Sequence, residues 1–178
     1  MNYKLLIPNL LSSLRLFLAI IFPFVPENWW IWLILGAGFS DFLDGQLARR
    51  WQVQTWQGGL LDAVADKMFV LSALLSFVLV GRFAPWWLPL VLARDLTVGG
   101  IAGYAAIAHD WEAFHKMDAR WSGKIATTAQ FFLFIIVTLV PAGIHSMVSV
   151  TGACSVIAAV DYWLLFHQEL TTRKIIPK

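Results

Sequence analysis

The stretch that decides the fold and the chemistry of this chain is Asp41-Phe-Leu-Asp44-Gly45-Gln-Leu-Ala48-Arg49, followed after eight residues by Gly58-Gly-Leu-Leu-Asp62-Ala-Val-Ala-Asp66. Its four carboxylates form two pairs, spaced three and four residues apart, so on helices each pair shares a face. The surrounding sequence is apolar, and four acids facing one another there would repel and lose hydration unless cations held them. Hard divalent ions such as Mg²⁺, Mn²⁺ or Ca²⁺ prefer oxygen ligands of this kind. The stretch therefore predicts a divalent-metal site carried by two helices.

The composition of the chain is typical of a membrane protein. Of the 178 residues, 59% are hydrophobic and 13% are charged, and the mean hydropathy is +0.69. A soluble domain of this length does not need so much apolar sequence. Ten Trp suit a protein whose aromatic residues collect at both bilayer interfaces. The net charge of +2 gives no argument for a nucleic-acid partner, and the single cysteine, Cys154, excludes an internal disulfide framework.

Six apolar stretches are long enough to cross a bilayer as helices, which takes about 20 residues each. They lie at roughly 7–25, 29–51, 58–80, 86–108, 122–140 and 144–166. Pro26, Gly81 and Pro141 are expected to end the first, third and fifth of them. No strand pattern and no internal repeat competes with this reading. The sequence predicts one all-α integral membrane domain over residues 1–178.

The distribution of basic residues sets the expected orientation. The loops and ends predicted to face the cytoplasm carry most of the Lys and Arg, whereas the opposite loops hold only Arg82. Both termini are therefore expected to be cytoplasmic, with the four aspartates on the cytoplasmic halves of the second and third helices. Asp66 would lie about 12 Å into the third helix. A site at that depth could bring a lipid phosphate and a water-soluble molecule together.

The small and basic residues of the stretch favour a phosphorylated ligand. Gly45 and Ala48 share a helix face with the acids and would let a ligand approach the backbone, although small residues also serve close helix packing. Arg49 could pair with phosphate oxygens or anchor the helix at the interface. Metal ions would neutralise a diphosphate, and Asp66 could accept a proton from an attacking hydroxyl. The predicted reaction class is metal-assisted phosphoryl or phosphodiester transfer to an alcohol.

The full spacing, Asp-x₂-Asp-Gly-x₂-Ala-Arg-x₈-Gly-x₃-Asp-x₃-Asp, resembles without departure the signature of the CDP-alcohol phosphatidyltransferases. The resemblance implies a six-helix bundle, usually a homodimer, that uses Mg²⁺ or Mn²⁺, with two ions expected, and displaces CMP from a CDP-linked lipid by an alcohol. Its implied metal ligands are Asp41, Asp44, Asp62 and Asp66, with Asp66 also the catalytic base. Its implied CDP-lipid contacts are Asp41, Asp44, Gly45, Ala48, Arg49, Gly58 and Asp62.

Three further segments resemble the bacterial members of that family that use CDP-diacylglycerol and glycerol 3-phosphate. They are Pro8-Asn9-Leu-Leu-Ser12-Ser-Leu-Arg15, the pair Arg94-Asp95, and Gly123-Lys124-Ile-Ala126-Thr127-Thr-Ala-Gln130, in which Ala126 stands where Lys is usual. A cation inside a span costs about 2.5–3.5 kcal/mol on insertion scales, so its presence needs a reason. We expect Arg94, Lys124 and Arg15 to clamp the phosphate of the acceptor. The alternative for Arg94 is an internal pair with Asp95 or another buried acid.

The sequence therefore predicts transfer of a phosphatidyl group from CDP-diacylglycerol to glycerol 3-phosphate in the inner (cytoplasmic) membrane, giving phosphatidylglycerophosphate and CMP. Direct displacement is expected, because no Ser, Cys or His stands beside the acids as an obvious nucleophile. Other acceptors remain open: inositol phosphate, serine, or phosphatidylglycerol as in a cardiolipin synthase. From other classes, intramembrane acids could mark a cation transporter, and an inactive family member could serve as a binding partner.

Overall fold

The computed structural model describes residues 3–51, 56–108 and 121–175, and all of the regular structure in these ranges is helical. The helices are α1 Tyr3–Ile21, α2 Glu27–Trp51, α3 Trp56–Leu79, α4 Trp87–Val91, α5 Ala93–Ala108, α6 Trp121–Leu139 and α7 Ile144–Ile175. Short 3-10 turns, Phe22–Phe24 and Pro141–Gly143, precede α2 and α7. The all-α prediction is confirmed for these residues. The chain divides into two compact units, residues 1–83 with 134–141 and residues 84–133 with 142–178.

The first unit is held at one end by an aromatic cluster. Its helix α1 packs against both α2 and α3. The fully buried Phe22, just after α1, stacks on Trp30 of α2 at 5.4 Å and meets Phe69 and Phe77 of α3 edge-on at 5.7 and 6.1 Å. Such aromatic pairs stabilise a core beyond the area that they bury. The cluster thus fixes where α1 ends, where α2 begins and how α3 lies against both.

The end of α3 is a capped turn at Gly81, as predicted. The N–H of Gly81 donates to the carbonyl of Val78 at 2.9 Å, and the N–H of Arg82 donates to that of Phe77 at 2.9 Å. Gly81 has φ +76°, a left-handed conformation that side chains disfavour, so these bonds complete a Schellman motif. The Arg82 guanidinium then pairs with Glu27 at the start of α2. The turn therefore ties the end of α3 to the beginning of α2.

The second unit is built on α7, against which α4 and α5 pack. The prediction of one continuous helix over 86–108 is wrong, because the chain bends at Leu92 between α4 and α5. Side chains replace part of the helical hydrogen-bond ladder around this position. Gln130 of α6 donates to the carbonyl of Val91 at 3.1 Å, and the N–H of Arg94 donates to Ser155 Oγ of α7 at 3.0 Å.

One close approach in the second unit requires a glycine. A Cβ placed on Gly123 of α6 would lie 2.6 Å from the hydroxyl oxygen of Tyr162 on α7. At Gly152 of α7, by contrast, the nearest atom would be Leu90 Cβ at 3.5 Å, an ordinary contact. The two buried glycines therefore differ in how much space they leave. Only at Gly123 is a glycine needed for the neighbouring side chain to fit.

The last helix is longer than predicted. It runs on to Ile175, nine residues past the expected end at Phe166. The apolar run stops there, but neither Pro nor Gly follows until Pro177, so nothing in the sequence breaks the helix. Its 32 residues correspond to about 48 Å, more than the hydrocarbon thickness of a bilayer, which is about 30 Å.

Two helical segments of the described residues are long and apolar enough to cross a membrane, Trp121–Leu139 and Pro141–Glu169. A shorter apolar helix covers Asn9–Phe24. The charges of the acidic stretch lower the hydropathy of α2 and α3, and the bend at Leu92 shortens α5. The six predicted spans therefore stay a prediction. Large apolar side chains nevertheless point outward on several helices, including Phe17, Phe39 and Trp163, which are each more than half exposed. Such exposed apolar surface indicates a membrane-associated protein.

We expect Gly123→Ala to lower the thermal midpoint of the purified protein in detergent, because the new methyl group overlaps the Tyr162 hydroxyl. Overpacking of this kind costs about 1–3 kcal/mol. Adding Tyr162→Phe removes the nearest atom and should restore part of the loss. Gly152→Ala is the matched control and should be neutral or slightly stabilising. Equal midpoints for the two alanine variants would contradict this packing.

Candidate active site

The first unit brings three of the predicted acids together. Asp41 lies in α2, and Asp62 and Asp66 lie one turn apart in α3. Asp41 is within electrostatic range of both Asp62 and Asp66. We call these three residues the acid cluster. Each is between one-third and just over one-half exposed, so the cluster forms an open face on the unit.

A buried arginine lies beneath the acid cluster. Arg15 of α1 has a side chain that is only 1% exposed. Its Nη1 donates to Asp62 Oδ1 at 2.8 Å and lies 3.0 Å from Asp41 Oδ1. Ser12, one turn earlier in α1 and also buried, donates to the same Asp62 oxygen at 3.5 Å. One guanidinium nitrogen thus binds carboxylates from two different helices.

Asp66 has a different partner. The Nζ of Lys67, its neighbour in the sequence, lies 3.4 Å from Asp66 Oδ2. Both side chains are more than one-third exposed, so this pair adds little stability. The Asp66 carboxylate therefore remains accessible to a ligand approaching the open face of the acid cluster.

The donor chemistry of the acid cluster suits a hard divalent ion. Carboxylate oxygens of this kind are the preferred ligands of Mg²⁺ and Mn²⁺. In the part of the chain that the structure describes, no group of three or more His, Cys, Asp or Glu converges on one metal position. Asp44 belongs to α2, but its side chain lies outside the described residues. The statement about converging ligands therefore does not cover this fourth predicted ligand. The residues present fit a divalent ion by donor type and by their shared open face.

The remaining predicted CDP-lipid contacts are only partly described. The backbone of Gly45, Ala48 and Arg49 lies in α2, whereas their surroundings and side chains fall outside the described residues. Gly58 is in the first turn of α3 and is partly exposed. The sequence motif thus spans the last turns of α2 and the first turns of α3, on the same helices as the acid cluster.

In the second unit, Arg94 forms the internal pair that was the alternative to phosphate binding. Its Nη1 lies 2.9 Å from Oδ1 of Asp95, whose side chain is 7% exposed. Gln130 of α6 donates to Asp95 Oδ2 at 2.9 Å. Arg94 Nε is buried and has no hydrogen-bond partner among the described residues. Asp95, which is itself held by Gln130, therefore orients Arg94. The Nε–H of Arg94 remains as a donor without a partner among the described residues.

Lys124 is a surface residue of the second unit. It lies in the first turn of α6, is exposed, and its Nζ stands 5.1 Å from the ring centre of Trp121. A cation–π contact of this kind holds a lysine without neutralising it. The three predicted phosphate ligands are divided between the units, with Arg15 in the first and Arg94 and Lys124 in the second.

Two roles were missed from the sequence. Ser12 supports Asp62, and Gln130 bridges Asp95 and the carbonyl at the bend. The three-residue spacing of Ser12 and Arg15 places both on one face of α1, which could have suggested a common partner. The sequence around Gln130 does not predict its partners, the Val91 carbonyl and Asp95, because both lie 35 or more residues away.

Comparison with known proteins places these features in a family. The sequence model described as CDP-alcohol phosphatidyltransferase matches residues 5–165. A protein of Pectobacterium atrosepticum named CDP-diacylglycerol–glycerol-3-phosphate 3-phosphatidyltransferase is 31% identical over 90% of this chain and 91% of its own length. Proteins of the same name from Sodalis glossinidius and Escherichia coli K12 are 29% and 31% identical, covering 89% and 68% of this chain and 92% and 72% of their own lengths.

We expect Asp95→Asn to lower the free energy of unfolding in detergent, because Arg94 loses its charged partner in a buried setting. A hydrogen bond to a charged group contributes about 1.5–3 kcal/mol. Glu27→Gln, which breaks the more exposed pair with Arg82, is the control and should change stability much less. A double-mutant cycle with Arg94→Gln should show coupling. Equal losses for the two acid variants, or no coupling, would contradict the described pair.

Proposed function

The chain belongs to the CDP-alcohol phosphatidyltransferase family and is therefore a transferase, and from this premise we propose that it converts CDP-diacylglycerol and glycerol 3-phosphate into phosphatidylglycerophosphate and CMP. The observation that carries the proposal is the acid cluster, in which Asp41, Asp62 and Asp66 stand at the family's spacing on an open face. The substrate pair is supported by the names of the relatives, which match most of the chain.

The acid cluster and Asp44 would hold the divalent ions, which we propose to be two Mg²⁺ or Mn²⁺. When bound, these ions would neutralise the diphosphate of the lipid substrate and stabilise the charge on the departing phosphate. The helices α2 and α3 supply these residues from two sides, and Arg15 supports Asp41 and Asp62 from beneath. The protein would therefore present its acids in position before the substrate arrives.

Asp66 would act as the general base. Its carboxylate is accessible and has only an exposed lysine as its described partner. It would accept the proton of the glycerol 3-phosphate hydroxyl while that oxygen attacks the phosphorus that carries diacylglycerol. The bond from this phosphorus to the bridging oxygen of the diphosphate breaks, and CMP leaves with that oxygen and the electron pair. No covalent enzyme intermediate is needed.

The CDP-lipid would lie along the end of α2 and the start of α3. Asp41 and Asp62 flank this region in the sequence, and Gly45, Ala48, Arg49 and Gly58 follow the family's pattern there. Small residues would admit the nucleotide close to the backbone, and Arg49 would pair with phosphate oxygens.

Arg94 and Lys124 would bind the phosphate of glycerol 3-phosphate. The buried Nε of Arg94 is a donor that a phosphate oxygen would satisfy, and exposed Lys124 keeps its full charge. Arg15 was predicted to join them, but its Nη1 contacts Asp41 and Asp62. We assign the acceptor phosphate first to Arg94 and Lys124, because the side chain of Arg94 is 20% exposed and that of Arg15 only 1%.

The membrane setting follows from the apolar helices and from the family. We propose a multi-pass protein of the inner (cytoplasmic) membrane with six spans, cytoplasmic termini, a cytoplasmic active site and a homodimeric assembly. The proposal places a lipid substrate and a soluble substrate on the same side of the bilayer. It also accounts for the large apolar side chains exposed on the described helices.

The proposed reaction is tested by CMP release from CDP-diacylglycerol, using purified protein in detergent with Mg²⁺. We expect release that requires glycerol 3-phosphate and that falls by about 100-fold or more in Asp66→Asn, since a general base contributes about 10²–10⁴-fold. Glu27→Gln, a carboxylate change outside the acid cluster, should leave the rate unchanged. Inositol phosphate, serine and phosphatidylglycerol are run in parallel. Release with one of them alone would change the acceptor, and no release with any would refute the enzymatic proposal.

The acceptor site is tested by steady-state kinetics of Lys124→Gln. We expect KM for glycerol 3-phosphate to rise by about tenfold or more, because a charged contact to the phosphate is lost, while KM for CDP-diacylglycerol stays the same. Lys124→Arg should keep most of the affinity, and Arg82→Gln should have no effect on either KM. An equal rise for both substrates would argue against a role in acceptor binding.

A further inference from the structure

Arg15 stands out because its charge is buried while the charges that it contacts are not. Its side chain is 1% exposed, whereas Asp41 and Asp62 are 54% and 42% exposed. The same nitrogen, Nη1, contacts Oδ1 of both acids. Arg15 therefore reaches the acid cluster from the protein side and leaves its open face to an incoming ligand.

The contacts described for Asp41 and Asp62 involve Oδ1 of each acid. Arg15 Nη1 contacts both of these atoms, and Ser12 donates to that of Asp62. Repulsion between these acids would be largest when no metal ion is bound, and a buried positive charge is the means available to offset it. Arg15 is buried and contacts both acids, so its charge can offset their repulsion.

We propose that Arg15 is a positioning residue that serves as a resident counter-cation, holding Asp41 and Asp62 in place without metal and sharing them with the divalent ion when it binds. This inference rests on the proposed metal-dependent function. It assigns Arg15 to the metal site rather than to the acceptor phosphate. Arg15 would touch neither substrate, and its effect would pass through the two carboxylates.

The sign of the effect on metal binding follows from electrostatics. A fixed positive charge beside shared carboxylates repels a divalent ion, and at this range the repulsion amounts to about tenfold in affinity even at the dielectric constant of water. The gain from holding two short aspartate side chains on rigid helices is smaller, because few rotamers are lost. Arg15 should therefore weaken metal binding while stabilising the metal-free protein.

The experiment is a Mn²⁺ titration of the full chain in detergent, following the electron paramagnetic resonance signal of free Mn²⁺. Thermal midpoints are measured with and without the ion. The neutral variants are Arg15→Gln and Arg15→Met, the latter suited to a buried position. Arg15→Lys keeps the charge, and Arg82→Gln is the matched control because it breaks an ion pair of the same unit outside the acid cluster.

We expect the neutral variants to bind Mn²⁺ about tenfold more tightly than the wild type, with a lower midpoint without metal and a larger rise when Mn²⁺ is added. Arg15→Lys should stay within about threefold of the wild-type affinity, since it retains the charge. Arg82→Gln should match the wild type. A neutral variant that folds only with Mn²⁺ would also support the proposal.

Unchanged or weaker binding in a folded neutral variant would overturn the role of Arg15, and so would equal tightening in Arg15→Lys. If both neutral variants stay unfolded even with Mn²⁺, the ion does not replace the charge and the inference is wrong. Absence of Mn²⁺ binding to the wild type would refute the metal dependence of the proposed function itself. The two failures are thereby distinguished, and neither depends on measuring activity.

Discussion

The first unit depends on one buried positive charge placed between two negative charges. Arg15 contacts Asp41 of α2 and Asp62 of α3, so a single guanidinium links the three helices at the level of the acid cluster. A buried cation without such partners would be strongly unfavourable, and acids so close together without a cation would repel. Each charge is thus tolerated because the other is present. The contacts of Arg15 therefore determine both the geometry of the candidate active site and the packing of α1.

In the first unit, the aromatic cluster and the acid cluster lie at different levels of the helices. The aromatic cluster around Phe22 fixes one end of the three helices, and the acid cluster lies toward the other. By helical rise along α3, Asp62 is about 10 Å from Phe69 and about 22 Å from Phe77. The second unit follows a similar plan on a smaller scale, where Asp95 and Gln130 hold Arg94 at a bend in the chain. In both units a charged group is held by a buried charged partner.

Some of these features could be predicted from sequence and others could not. The spacing from Asp41 to Asp66 predicted two acidic helix faces, and Gly81 predicted a helix end, because both depend on local geometry. The partners of Arg15 were not predicted, since 47 residues separate it from Asp62 and spacing carries no tertiary distance. The bend at Leu92 was missed because the side chains that replace backbone hydrogen bonds there come from α6 and α7, and hydropathy does not register such distant partners. Apolar pattern predicts where a helix can be buried, not where its hydrogen bonds are interrupted.

The position of Arg15 also bears on how the protein is made. During synthesis α1 emerges before α2 and α3, so the first helix carries a positive charge whose partners do not yet exist. Under the proposed membrane topology, insertion of such a charge alone would be unfavourable by about 2.5–3.5 kcal/mol. Asp62 follows 47 residues later, when the third helix emerges. Under the proposed membrane topology, the contacts of Arg15 with both acids would form only when all three helices are present.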